Sequence, residues 1–151
     1  PMALTPHAEA RPGGIHLAAA EGLEAAMVEK APHSARISLR VTPSVDVAEY
    51  GLRLRGAGKF ESGYDLRLRP YERRIELMDA CLAPVDGLDR PVDLEIVMAG
   101  DIIDVCIGGK RTMVNRCPEL RGDRLFFFAQ NGQVTIENVQ VRPLLGQAQS
   151  L

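Results

Sequence analysis

The apolar residues of this chain recur with a period of two. Ile37, Leu39 and Val41 alternate with Arg36, Ser38 and Arg40, and Tyr50, Leu52 and Leu54 alternate with Arg53 and Arg55. Tyr64, Leu66 and Leu68 alternate with Asp65, Arg67 and Arg69, and Ile75 and Leu77 resume the apolar face after the turn at Pro70 to Glu72. Leu94, Ile96 and Met98 follow the same rule, and so do Ile103, Val105 and Ile107. This is the pattern of strands with one buried and one solvated face. Gly108-Gly109 suits a tight hairpin, and Asn131-Gly132 reads as a second hairpin turn between Leu125–Gln130 and Val134–Leu144. Gly14 to Lys30 is read as strand, turn, strand, because Gly22 is more easily placed in a turn than in a helix.

Turn residues recur every 8 to 12 positions or so, the spacing of an all-β sandwich. The expected fold is a two-sheet antiparallel β-sandwich over residues 13–146, with a poorly ordered lead-in over 1–12 and a tail over 147–151. The apolar residues meet between the sheets, at about 25 cal/mol per Å² of apolar surface removed from water. Arg53, Arg55, Asp65, Arg67, Arg69, Arg74, Glu76, Asp93, Glu95 and Asp104 are then expected to face away from that core. Phe126 to Phe128 cannot all point inward on a regular strand, and a contact with another domain is the favoured reading.

The length of 151 residues fits one domain, and 46% hydrophobic with 25% charged residues are ordinary globular values. A formal net charge of -2 gives no electrostatic case for nucleic acid or an acidic membrane as partner. No apolar run approaches the roughly 18 residues that cross a bilayer. A chain opening on Pro1 is expected to be an excised piece or a processed chain. Cys81, Cys106 and Cys117 have neither disulfide-framework nor zinc-site spacing. Cys106 is expected in the core, and reduced thiols favour a cytosolic setting. His7, His16 and His33 have no ligand spacing.

Two groups carry the candidate chemistry. Asp104, Arg111, Asn115 and Arg116 flank the two-glycine turn and offer acceptors and donors for sugar hydroxyls. Glu61, Arg67 and Tyr71 lie around the Gly-rich loop and the central hairpin, with Tyr64 in the core and Tyr71 exposed. Glycosidase chemistry would need two converging carboxyl groups. Asp101 with Asp104, or Glu76 with Glu95, are the pairs the strands could bring together.

The stretch from Asp101 to Gly109 resembles a strand pair in the C-terminal sandwich of the invertase and levanase family of glycoside hydrolases. Phe127 to Leu144 is similar to the closing strands of that sandwich, and of concanavalin-like and laminin-G-like jelly rolls that include fructan-binding modules. Gly63 to Pro70 with Arg74 to Leu77 is similar to their central hairpin. The likeness spans Gly63 to Leu144. Cys106 stands where the family has a bulky aromatic, Asp104 replaces a Glu, and there is no Trp. A sugar-stacking plate would have to be tyrosine.

The family's catalytic carboxylates lie in a propeller that this chain lacks. The resemblance therefore implies a noncatalytic accessory domain that binds carbohydrate, with β-fructan in view, or braces a catalytic domain. A small sandwich hydrolase or lyase using paired carboxylates is the alternative. No cofactor is expected, although a structural calcium on loop carboxylates such as Asp86, Asp89 and Asp123 is compatible with the resemblance.

Overall fold

The computed structural model describes residues 2–4 and 8–144, with side chains from residue 10 onward. Among these residues there are twelve strands and no helix. They are β1 (Met2–Leu4), β2 (Ala8–Arg11), β3 (Gly14–Val28), β4 (Ala35–Pro43), β5 (Glu49–Ala57) and β6 (Ser62–Arg69). β7 (Arg74–Leu77), β8 (Ala80–Leu82), β9 (Val92–Ala99), β10 (Ile102–Ile107), β11 (Arg111–Arg116) and β12 (Arg124–Pro143) complete the set. Within the expected lead-in, Met2–Leu4 pairs with Ala26–Val28 and Ala8–Arg11 pairs with Gly14–Leu17.

All pairings are antiparallel, in the order β11-β10-β9-β4-β12-β5-β6-β7-β8, with β3 laid along β12. One layer holds β5 to β8 and the other holds β4 and β9 to β11. Their inward residues form a single core that includes Tyr50, Leu52, Leu66, Ile75, Ile37, Ile96, Val105 and Phe127. This is the β-sandwich that the alternation predicts. Gly108 and Gly109 make the expected hairpin with φ of 60° and 70°.

Asn131-Gly132 is not a hairpin turn. β12 continues through it as one strand, pairing with β5 before the bend and β4 after it. The register slips between Gln130 and Gly132, and Asn131 takes a φ of 50°. Inward residues change parity across the slip: Leu125, Phe127 and Ala129 before, Val134 and Ile136 after. A one-residue slip exchanges the two faces of a strand, so one chain serves both layers. β3 does the same at Gly22 (φ 81°), where a turn was expected; Ile15, Leu17 and Ala19 give way to Ala26.

Three other expectations change. Arg55 does not face outward: a bulge with φ 51° turns it in, its residue is 3% exposed, and Nε and Nη2 donate to the His33 carbonyl at 3.3 and 2.9 Å. Cys106 lies on the outer face of β10, and Cys117 is the core thiol; all three cysteines are free.

The phenylalanine run is resolved within the chain. Phe127 enters the core, while Phe126 and Phe128 lie on the outer face under Phe60 of the β5–β6 loop, with ring centroids 5.2 and 5.6 Å apart. No second domain is needed to cover them.

Candidate functional site

Strand alternation divides the group around the two-glycine turn. Asp104 pairs with Val97 and Val114 on the outer face of β10, and Arg116 lies on that same face of β11. Arg111 and Asn115 have the opposite parity. Arg111 reaches the Pro84 carbonyl at 3.4 Å. Asn115 Nδ2 donates to the Leu77 carbonyl at 3.0 Å and to Asp79 Oδ1 at 2.8 Å, tying β11 to the other layer. These four side chains do not form one site.

The second group is also spread out. Glu61 lies beside the start of β6 and Tyr71 just beyond its end, with Arg67 on the outer face between them. Tyr64 is buried as expected, its hydroxyl accepting from the N–H groups of Glu119 and Leu120 at 2.8 and 2.7 Å. The carboxylate pairs do not converge either. Glu76 and Glu95 sit on the outer faces of opposite layers. Asp101 pairs with Arg121 at 3.5 Å in the β9–β10 turn, while Asp104 lies along the outer face of β10.

The expected calcium ligands separate too: Asp86 and Asp89 lie on the β8–β9 loop and Asp123 at the other end of the sandwich. Among the described residues no group of three or more His, Cys, Asp or Glu converges on a metal position. His16 Nδ1 lies 2.8 Å from Thr135 Oγ1, and His33 Nε2 is buried without a partner. His7 lies outside the described residues.

Three loops at one end of the sandwich enclose a cleft of about 480 Å³. Val45 and Asp46 come from the β4–β5 loop, Pro70, Tyr71 and Glu72 from the β6–β7 turn, and Asp89 from the β8–β9 loop. Tyr71 is 95% exposed. Pro70 has no N–H to continue the ladder, and its carbonyl accepts from Arg73 N at 3.1 Å, so the turn projects Tyr71 outward.

The turn is held from behind. Arg73 Nε pairs with Asp86 Oδ1 at 2.6 Å, and the Arg73 carbonyl accepts from Val85 N at 2.8 Å. The fully buried Tyr50 donates its hydroxyl to the Leu88 carbonyl at 2.7 Å, and burial followed by the nearby Asp89 charge pushes its ionisation up. Gly132 backs the β4–β5 loop so closely that a Cβ there would lie 2.4 Å from Val47 Cα. The result is an aromatic plate among carboxylates on a fixed frame. Such a plate can stack on the C–H face of a sugar while carboxylates accept from its hydroxyls.

Beside this cleft, the outer face of β5 to β7 carries a network of charges. Asp65 accepts from Arg53 at 2.6 and 3.0 Å and from Arg67 at 2.9 Å. Glu49 accepts from Arg69 at 2.8 Å, and Arg69 also lies 3.3 Å from Glu76. Burial alone would raise the Asp65 carboxyl, but the bonds from Arg53 and Arg67 outweigh it and hold it below the usual range. The bond to Asp65 pushes Arg67 up, and the bond to Glu49 pushes Arg69 up. Phe60 lies over Arg53, its centroid 3.7 Å from the guanidinium carbon.

A separate depression of about 430 Å³ crosses the other outer face, lined by Ser38, Arg40, Asp93, Glu95, Asn138 and Gln140 among others. Arg40 pairs with Asp93 at 3.0 Å and Arg36 pairs with Glu95. It has no aromatic residue.

No protein-family model matches the sequence, and no match is found among curated proteins. Among solved structures, the carbohydrate binding module CBM66 from Bacillus subtilis superposes with a TM-score of 0.80 at 8% identity, over 93% of this chain and 94% of that one. A β-fructofuranosidase from Aspergillus kawachii gives 0.66 at 11% identity, over 94% of this chain but only 27% of the enzyme. A galectin from Caenorhabditis elegans gives 0.57 at 18% identity, over 83% of this chain and 94% of that one. What is shared at these identities is the fold, the jelly-roll sandwich.

Proposed function

We propose that this domain is a noncatalytic carbohydrate-binding module, accessory to a glycoside hydrolase, with β-fructan as its ligand class. The observation that carries the reading is Tyr71, a nearly fully exposed ring at the mouth of a cleft whose polar side chains are Asp46, Glu72 and Asp89. The fold it shares with a carbohydrate binding module, and with part of a β-fructofuranosidase, supports the same reading. Acid–base chemistry gains no support from the two carboxylate pairs picked out in the sequence, because neither pair converges.

Titration calorimetry with levan and inulin oligosaccharides, and with cello-oligosaccharides as the contrast, tests this. Fructans should bind, and Tyr71→Ala should weaken binding roughly tenfold, equivalent to about 1.4 kcal/mol. Release of sugar from any of these glycans, abolished by Glu72→Gln, would replace the module with a small hydrolase. Equal affinities for the wild type and Tyr71→Ala would remove the cleft from recognition.

A second reading, a brace for a catalytic domain, is favoured by one observation. Ile102 and Val114 are 40% and 56% exposed on the outer face of β10 and β11, Val114 in one row with Asp104 and Val97 and Ile102 in the next with Arg116 and Ala99. Co-purification with the parent catalytic domain, lost on Val114→Glu, would support it.

A further inference from the structure

The charged outer face of β5 to β7 meets the Tyr71 cleft through Arg69. Glu72, in the cleft, lies 3.7 Å from Arg69 Nη1, and Glu49, the partner of Arg69 Nε, follows Ala48 of the cleft wall. Two depressions lie along this face, of about 440 and 220 Å³, and both are lined by Asp65 and Arg67. Two glycines allow close packing beside it. Gly51 pairs with Phe128 on one side and Arg67 on the other, and the Phe128 ring closes over it, so the row Phe128, Gly51, Arg67, Glu76 has no side chain at its second member. A Cβ at Gly51 would lie 1.9 Å from the Leu66 carbonyl oxygen. At Gly63, a Cβ would lie 2.3 Å from Arg53 Cγ, so its absence lets the arginine stem lie across the strand.

We propose that this trough is a second subsite continuous with the Tyr71 cleft, and that the domain takes an uncharged glycan chain several units long rather than one terminal sugar. The proposal rests on the carbohydrate reading of the cleft. Three guanidinium groups, Arg53, Arg67 and Arg69, face three carboxylates, Glu49, Asp65 and Glu76, so the floor has no net charge to attract an ion. A guanidinium has five N–H donors and a carboxylate about four acceptor positions, which leaves capacity beyond the internal pairs.

A sugar hydroxyl both donates and accepts, and so suits such a surface. The side chains are already held by one another, which reduces the ordering cost of binding. Phe60 and Leu23, the latter 44% exposed, wall one part of the trough and Met78, 47% exposed, another, supplying apolar contact for C–H groups. From Arg69 to Gly63 the strand runs about 20 Å, at roughly 3.3 Å per residue, the length of several sugar units.

The test is affinity as a function of chain length, from disaccharide to hexasaccharide of the glycan series that binds best. Wild-type affinity should rise at least tenfold along the series. Arg67→Ala, and independently Met78→Ala, should remove that rise, with the loss falling on the long chains. Oligomers of a uronic acid should show no such gain. Binding that is flat with length, or an Arg67→Ala loss equal for short and long chains, would overturn the second subsite while leaving the cleft as a module. Absence of binding to any glycan would overturn both.

Discussion

The backbone N–H of Gly22 donates to Asn131 Oδ1 at 2.8 Å, so the bend of β3 and the bend of β12 are fastened to each other. Each strand leaves one layer and enters the other at that point. The bond coordinates two irregularities that would otherwise shift independently.

Asn131→Ala should therefore destabilise the domain. The lost hydrogen bond accounts for about 1 kcal/mol, and alanine also fits the φ of 50° less well than asparagine. A fall in Tm of roughly 2–4 °C is expected for a chain of this size. Gly132→Ala should cost more, because its Cβ would meet the Val47 backbone. Thermal unfolding of both variants checks the order, and equal stability would show that the bends are not coupled.

Phe60→Ala should cost about 2 kcal/mol, since each edge-on aromatic pair contributes about 0.5–1.5 kcal/mol and two are lost. The cation–π contact with Arg53 goes with them. Denaturant unfolding gives the measurement. An unchanged midpoint would mean that Phe126 and Phe128 do not depend on this cover.

The acid limb of stability should depend on Asp65. Its folded pKa lies below the unfolded value of about 3.9, so its contribution is complete above that value and disappears as pH falls through the lower folded value. Asp65→Asn should lower stability at neutral pH and flatten the loss at acid pH. Urea midpoints measured from neutral to strongly acid pH decide it, and an acid limb identical to the wild type would contradict it.

Much of the fold was legible because most strands keep one face buried along their whole length. The bends were not, for a local reason: Asn-Gly and Glu-Gly accept positive φ equally well in a hairpin and in a bulge, and only long-range pairing distinguishes the two. Arg55 follows Arg53 in the same alternation, and nothing in that pattern marks the bulge that turns it inward. The division of Asp104 and Arg116 from Arg111 and Asn115 was within reach, because pairing across Gly108-Gly109 fixes their parity. Tyr71 was readable as an exposed turn residue. Asp46 and Asp89 come from loops distant in sequence, and no spacing joins them to it.

The three thiols should report the packing in order. Cys81 is exposed, Cys106 half-buried and Cys117 buried. Burial raises the Cys117 thiol despite the lowering effect of Arg55, which further suppresses its thiolate. An aromatic disulfide reagent should modify Cys81 first, Cys106 more slowly, and Cys117 only as fast as the domain opens. A Cys117 as fast as Cys81 would contradict its burial in the core.

The passage of β12 through both layers also sets the timetable of folding. In the order of synthesis it follows every strand it joins, and it lies between β4 and β5 in the pairing order while β3 runs alongside it. Contacts between segments so far apart in the chain close slowly, because a long loop must be ordered before any pairing rewards it. A nascent chain ending before Arg124 has β4 and β5 without the strand that joins them, their edges open to other chains. Ribosome-bound chains ending before and after β12 should therefore differ sharply in protease resistance, with the protected form appearing only once β12 has emerged.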